Sequence, residues 1–257
     1  MLHYQIKGQG SPLVLLHGFP MDSEAWQNVI PALSVCYQLI LIDLPGAGKS
    51  SLTQGGLTIA MMAQAVWATI DTLGLDKVAI AGHSMGGYTA IEMAHQQPQR
   101  LSALCLVHTS AYADTAEKIE TRKKAIRLIQ KGRDGQEMFL KGAAPNMFAP
   151  TYANQHPEAL DAYVKKGMEL PGENLVQFYE AIIGRSNHTE VLQQAKFPIQ
   201  WIIGAQDQII PKQDALEQSR LSQIIDVQLY QQGGHLSMVE MPERLANDML
   251  QFLEKWY

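Results

Sequence analysis

The chain has 257 residues, 46% of them hydrophobic and only 18% charged, against roughly 25% charged in an average globular protein. A sizeable buried core is expected, in one domain of α/β size carrying an insertion. Twenty basic residues stand against 25 acidic ones, a net charge of −5, which supplies no global positive field for nucleic acid or an anionic membrane and favours a small-molecule substrate.

Short runs rich in Val, Ile and Leu at residues 13–16, 38–42, 77–81, 104–107, 199–203 and 226–230 read as six buried strands. They alternate with helical patterns, as in a parallel sheet covered on both faces. Between the second and third, Thr58 offers an N-cap, Ile59, Met62, Ala63, Val66, Trp67, Ile70 and Leu73 recur at helical spacing, and Gly74 supplies the stop. From 110 to 196 the alternation ceases. That stretch reads as an inserted helical cap, with helices at 116–130 and 173–183 and breaks at Gly132, Gly135, Pro145, Pro150, Pro157 and Pro171. The core is then 1–109 with 197–257. Cap and core differ in charge: residues 110–196 hold 12 basic and 11 acidic side chains, and the other 170 residues hold 8 and 14. The low charge content thus belongs to the sheet scaffold, and an anionic substrate met at the cap is one reading.

The two cysteines, Cys36 and Cys105, are too few for a disulfide framework, and their apolar neighbours suggest buried thiols in a reducing compartment. No basic stretch followed by an apolar run opens the chain, and 13–16 is far short of a membrane span. A cytoplasmic location is expected.

The sharpest feature is Gly82-His83-Ser84-Met85-Gly86-Gly87, directly after the third strand and directly before a helical run from Tyr88 to His95. A Gly-x-Ser-x-Gly string between strand and helix describes a nucleophile elbow, whose glycines allow the helix to pass close to the strand while the serine is thrust clear of the sheet. The Met85 N–H, at the new helix's start, is placed to face a developing oxyanion. A serine needs a base, and the base needs a carboxylate to hold its tautomer. Asp207 lies on the loop after the fifth strand, and His235, preceded by Gly233-Gly234, follows the sixth. Open parallel sheets place their sites at this carboxyl edge. Near the N-terminus, His17-Gly18-Phe19-Pro20 follows the first strand, and the Phe19 N–H is the candidate second oxyanion donor.

On these residues the chain resembles the α/β-hydrolase superfamily over essentially its full length, and most closely small bacterial carboxylesterases, haloperoxidase-like esterases and 3-oxoadipate enol-lactonase-like hydrolases. The matching segments are His17-Gly18-Phe19, Asp43-Leu44-Pro45-Gly46, residues 82–87, Gly204-Ala205-Gln206-Asp207 and Gly234-His235, in the family's order of serine, acid, histidine. The resemblance implies an α/β-hydrolase fold, with a mostly parallel sheet, helices on both faces and a helical cap inserted after the sixth family strand. It also implies a Ser-His-Asp hydrolase with no metal or organic cofactor, acting on esters or lactones of small carboxylic acids. Two departures stand out: the family's usual extra strand before the one at residues 2–7 is lacking or truncated, and Ala47 replaces a common histidine. Rival chemistries for the same triad are carbon–carbon bond hydrolysis of a diketone and perhydrolysis. From another class comes a non-catalytic, hydrolase-like binding protein.

Other features carry blander readings. Gly46-Ala47-Gly48-Lys49-Ser50 mimics the end of a phosphate-binding loop, but Asp43 stands where its first glycine should be and residues 51–56 read as loop, not helix. His17 and His83 flank the site and shape loops, while His108 ends a strand as a core or rim residue. His3, His95, His156 and His188 show no partner pattern, and no histidine spacing is that of a metal site. Asp114 is the alternative acid. The basic helix with Lys118, Arg122, Lys123, Lys124, Arg127 and Lys131 reads as a solvated face. Arg185 is a candidate carboxylate anchor, and Met138, Phe139, Met147, Phe148 and Phe178 are candidates for an acyl pocket or simply the cap's own core.

Overall fold

The apolar runs pair into one sheet of seven strands: β1 Tyr4–Lys7, β2 Ser11–Leu16, β3 Tyr37–Ile42, β4 Val78–His83, β5 Leu101–Val107, β6 Ile199–Gly204 and β7 Ile225–Tyr230. Their order across the sheet is β1-β3-β2-β4-β5-β6-β7. The computed structural model describes residues 1–52 and 55–257. Strand β1 runs antiparallel to β3, with Tyr4 opposite Ile42, and every other pairing is parallel. Parallel strands are joined by crossovers that lay helices on the faces, so their residues must be apolar on both sides. Strand β4 is buried at all six positions, as is β6.

The helices are α1 Ile30–Leu33, α2 Ile59–Thr72, α3 Met85–Gln96, α4 Ala116–Ile129, α5 Arg133–Ala143, α6 Pro150–Gln155, α7 Pro157–Glu169, α8 Gly172–Ile183, α9 Thr189–Gln194, α10 Lys212–Ser219, α11 Ser237–Glu240 and α12 Pro242–Trp256. The Thr58 hydroxyl caps α2 by accepting the Met61 N–H at 3.1 Å, and Met62, Ala63, Val66, Trp67 and Ile70 turn to the sheet. Between β5 and β6 there is no strand among the described residues, only α4 to α9 and one short 3-10 turn. Proline sets several of the helix starts: Pro150 and Pro157 open α6 and α7, where a missing N–H costs nothing.

Three expectations need correction. Strand β7 is not buried: only Tyr230 is fully so, because β7 is the sheet's edge and has a partner on one side alone. Gly135 does not break a helix; it lies inside α5, where a Cβ would be driven into the Leu128 carbonyl oxygen, so its role is close approach of α5 to α4. Cys36 is exposed, and only Cys105 is buried, because residues 34–36 form the turn outside β3 rather than its core. Of the expected loop at 51–56, Thr53 and Gln54 lie outside the described residues. Among the described residues no helix is long and apolar enough to cross a membrane.

Candidate active site

Ser84 sits between β4 and α3 with φ 49° and ψ −114°, a left-handed geometry that costs a non-glycine residue about 1–3 kcal/mol. Its surroundings hold it there. The Ser84 N–H donates to the Val107 carbonyl at 3.0 Å, and the Ser84 carbonyl accepts from the Thr109 hydroxyl at 2.8 Å and from the Gly87 and Tyr88 amides at 2.9 and 3.0 Å. The turn is closed enough that a Cβ on Gly86 would collide with the Leu16 carbonyl oxygen, and one on Gly82 with the Gly86 carbonyl. The glycines flanking the serine are therefore required by backbone approach.

Asp207 and His235 follow β6 and β7 at the same sheet edge. Asp207 Oδ1 accepts the amides of Ile209 and Ile210 at 2.8 and 2.9 Å, which leaves Oδ2 to accept the His235 Nδ1–H at 2.8 Å. Both side chains are at most 3% exposed. Burial alone would raise the Asp207 carboxyl, but the charge and hydrogen bond of His235 and the proximity of His108 outweigh it and hold the group well below the usual carboxylate range. The pair is tied to the elbow because the ring of His83, next to Ser84, hydrogen-bonds through Nε2 to the His235 carbonyl at 2.9 Å. Burial, then the neighbouring His235 and His108, push the His83 imidazole well down, so it stays neutral and donates this bond.

His108 is more involved than the sequence suggested. It has φ 46°, its Nε2 meets Ser237 Oγ at 2.7 Å, and its Nδ1 lies 3.4 Å from Asp207 Oδ2, an ion-pair distance rather than a well-formed hydrogen bond. The available signal was its place directly after β5, beside the elbow strand.

The loop after β2 is oriented by His17. Its Nε2 accepts the Leu44 N–H at 3.0 Å, so Nδ1 carries the proton and donates to the Gly18 carbonyl at 2.9 Å. Burial lowers the His17 pKa and favours this neutral form. Because a trans peptide's C=O and N–H point in opposite directions, fixing the Gly18 oxygen also aims the Phe19 N–H. Gly18 lies against the elbow: a Cβ there would come within 3.0 Å of the Ser84 Cβ. Neither the Phe19 nor the Met85 amide has a protein acceptor among the described residues.

Aromatic rings from α5 and α8 cover this loop. Phe19 stacks on Tyr179 at 4.7 Å and meets Phe178 edge-on and Phe139 at a tilt, both at 6.2 Å. Met147 reaches the site through its backbone, accepting the His235 N–H at 3.2 Å, and Phe148 stacks on Tyr152 at 5.7 Å. Two expected pocket residues are not there. Met138 is 63% exposed, on the outer face of α5, one residue from the inward Phe139. Arg185 is no free anchor, because its Nη2 pairs with Asp114 at 2.9 Å, its Nε donates to the Tyr112 carbonyl and its guanidinium lies 4.2 Å over the Tyr88 ring.

Asp114 is likewise committed elsewhere, held between Arg185 and the Arg122 Nε at 2.7 Å with its side chain fully covered. Of the basic face of α4, Arg122 thus turns inward while Lys123 and Lys124 remain exposed. Replacing Asp114 by Ala should leave two largely buried guanidinium groups without their shared anion and cost about 3–5 kcal/mol, read by urea unfolding.

Residues 11–242 match the family described as alpha/beta hydrolase fold. A dihydrolipoyllysine-residue acetyltransferase component of the acetoin cleaving system from Pseudomonas putida is 31% identical over 98% of this chain, which spans 66% of that relative's length. A pimeloyl-[acyl-carrier protein] methyl ester esterase from Legionella pneumophila strain Lens is 26% identical over 98% of this chain and 99% of its own. Among solved structures, a malate-bound thermophilic esterase from Thermogutta terrifontis superposes with a TM-score of 0.93 at 27% identity, covering 99% of this chain and 93% of that one.

Proposed function

Because the chain belongs to the α/β-hydrolase family, we propose that it is a serine hydrolase of small carboxylic esters or lactones. Ser84 attacks the carbonyl carbon as His235 Nε2 takes its proton, the Phe19 and Met85 amides hold the oxyanion, and His235 returns the proton to the leaving alkoxide. Water, deprotonated by the same histidine, then releases the acid and frees Ser84. Asp207 keeps the proton of His235 on Nδ1, which leaves Nε2 as the acceptor for the serine proton. The carrying observation is the buried 2.8 Å bond between His235 and Asp207, tied through His83 to the elbow.

Residues 110–196 serve in this reading as a cap over the core of 1–109 and 197–257. The contacts of Phe139, Phe178 and Tyr179 with Phe19 support this, placing an apolar wall beside the oxyanion loop that suits an apolar acyl or alkyl group. The Legionella and Thermogutta relatives, both esterases, support an ester substrate. Both cysteines are free, as suits a reducing cytoplasm.

A fluorophosphonate probe is expected to label Ser84, located by peptide mass spectrometry, and the protein should turn over p-nitrophenyl acetate. Labelling elsewhere, or no turnover of any ester, lactone or diketone in a screen, would favour a binding protein. The pH dependence is a separate test. Because the folded Asp207 pKa is depressed, its stabilising contribution is present above the ordinary value of about 3.9 and is lost as pH falls through the folded value. The stability difference between wild type and an Asp207→Asn variant should hold from neutral pH down to about pH 4 and shrink below it.

A further inference from the structure

On the side of the molecule where the helical insertion returns to the sheet, His95 on the last turn of α3 and His188 and Glu190 at the start of α9 come together. We propose that these three residues bind a divalent transition-metal ion of the zinc type, which would fasten the returning limb of the insertion to the helix that begins at the nucleophile elbow. One ligand atom from each lies within 4.8 Å of the other two, and the two imidazole rings are 4.7 Å apart between centroids. Tetrahedral zinc with bonds of about 2.0–2.1 Å wants ligand atoms roughly 3.3–3.4 Å apart. Closing that gap takes small rotations, and His95 and Glu190 are exposed and free to make them.

His188 is prepared for the part. Its Nε2 donates to Glu92 Oε2 at 2.6 Å, and the other Glu92 oxygen is taken by the Gln96 amide at 2.9 Å. The backbone is pinned as well, the His188 N–H donating to the Ala111 carbonyl at 2.8 Å. What remains is Nδ1, buried and without a partner, on a residue only 9% exposed. A carboxylate that orients one imidazole nitrogen and leaves the other as a lone-pair donor is the arrangement that supports metal-bound histidine. A buried ring nitrogen with no partner is otherwise an unexplained cost. Neither the His95 ring nor the Glu190 carboxylate makes a hydrogen bond or ion pair among the described residues, so binding a cation breaks no polar side-chain contact of theirs. An adjoining cavity of about 510 Å³, lined in part by His95, Glu190, Gln194 and Phe197, gives the ion entry and room for a water as fourth ligand. Two imidazoles and one carboxylate suit zinc or its neighbours in the affinity series rather than magnesium or calcium.

The test is titration of the chelator-treated full chain with zinc chloride by calorimetry, alongside thermal melting with and without the metal. One equivalent should bind in the micromolar range and raise Tm. His95→Ala should weaken binding more than tenfold, and a His95→Ala/Glu190→Gln double variant should abolish both the heat and the shift in Tm. Both positions are exposed, so the metal-free variants should melt with the wild type. Cobalt(II) added to the wild type should show the visible absorption of a four-coordinate, nitrogen-ligated ion, a readout that depends on no substitution. Absence of micromolar binding, binding unchanged in the double variant, or an aqueous cobalt spectrum would each overturn the proposal.

Discussion

Ser84→Ala is expected to lower kcat by roughly a millionfold, the loss seen when such a serine is removed from a comparable triad. The hydroxyl is the atom that bonds to substrate in the proposed mechanism, and no nearby side chain can take its place: His83 hydrogen-bonds the His235 carbonyl and the Thr109 hydroxyl donates to the Ser84 carbonyl. The hydrogen bonds that hold position 84 in its left-handed geometry use the backbone and the Thr109 side chain, so the alanine variant should keep the fold. Substrate affinity should change little, and the residual rate should be about 10³–10⁴ over water, from the Phe19 and Met85 amides and from binding. Steady-state kinetics on the best ester found, with active-site titration to exclude wild-type contamination, gives the answer. Activity within tenfold of wild type would remove Ser84 as nucleophile.

Asp207→Asn should cost roughly 10⁴ in kcat, for a reason visible in the hydrogen bonds. The two amides of Ile209 and Ile210 both donate to Oδ1, so an asparagine must place its carbonyl oxygen there and turn its NH₂ toward His235. A ring nitrogen facing an NH₂ must accept, which moves the imidazole proton to Nε2 and leaves no base for the serine. The shape of the site is kept and the tautomer is wrong. Asp114→Asn is the matched control: Asp114 is engaged by Arg122 and Arg185, away from His235, so kcat should stay near wild type while stability falls. A large kcat loss in the Asp114 variant, with Asp207→Asn nearly normal, would reverse the assignment of the acid.

The elements most legible in the sequence are those whose environment imposes one pattern. Parallel strands are covered on both faces, so 13–16, 38–42, 77–81, 104–107 and 199–203 had to be predominantly apolar, with Gln38, Lys77 and Gln200 as the exceptions, and each lies inside or across a strand of the sheet. The elbow was legible because tight strand-to-helix passage forces glycine at fixed offsets around the serine. His108 was not, because nothing near it in the chain announces that Asp207, 99 positions on, will lie beside it. Met138 and Phe139 show the same limit: both are apolar neighbours in sequence, and only the packing of α5 decides that one faces Phe19 and the other faces solvent.

By itself, then, the sequence determined the alternation of strand and helix, the glycine-flanked turn at Ser84, and the placing of Asp207 and His235 after successive strands. These depend on local backbone sterics and on burial periodicity, which adjacent residues encode. Tertiary structure alone decided which charges meet. It turned Arg122 and Arg185 inward onto Asp114, and it brought His95 to His188 and Glu190 across more than ninety positions. Charge pairing and ligand geometry act through space over a few ångströms, and separation along the chain carries no record of that distance.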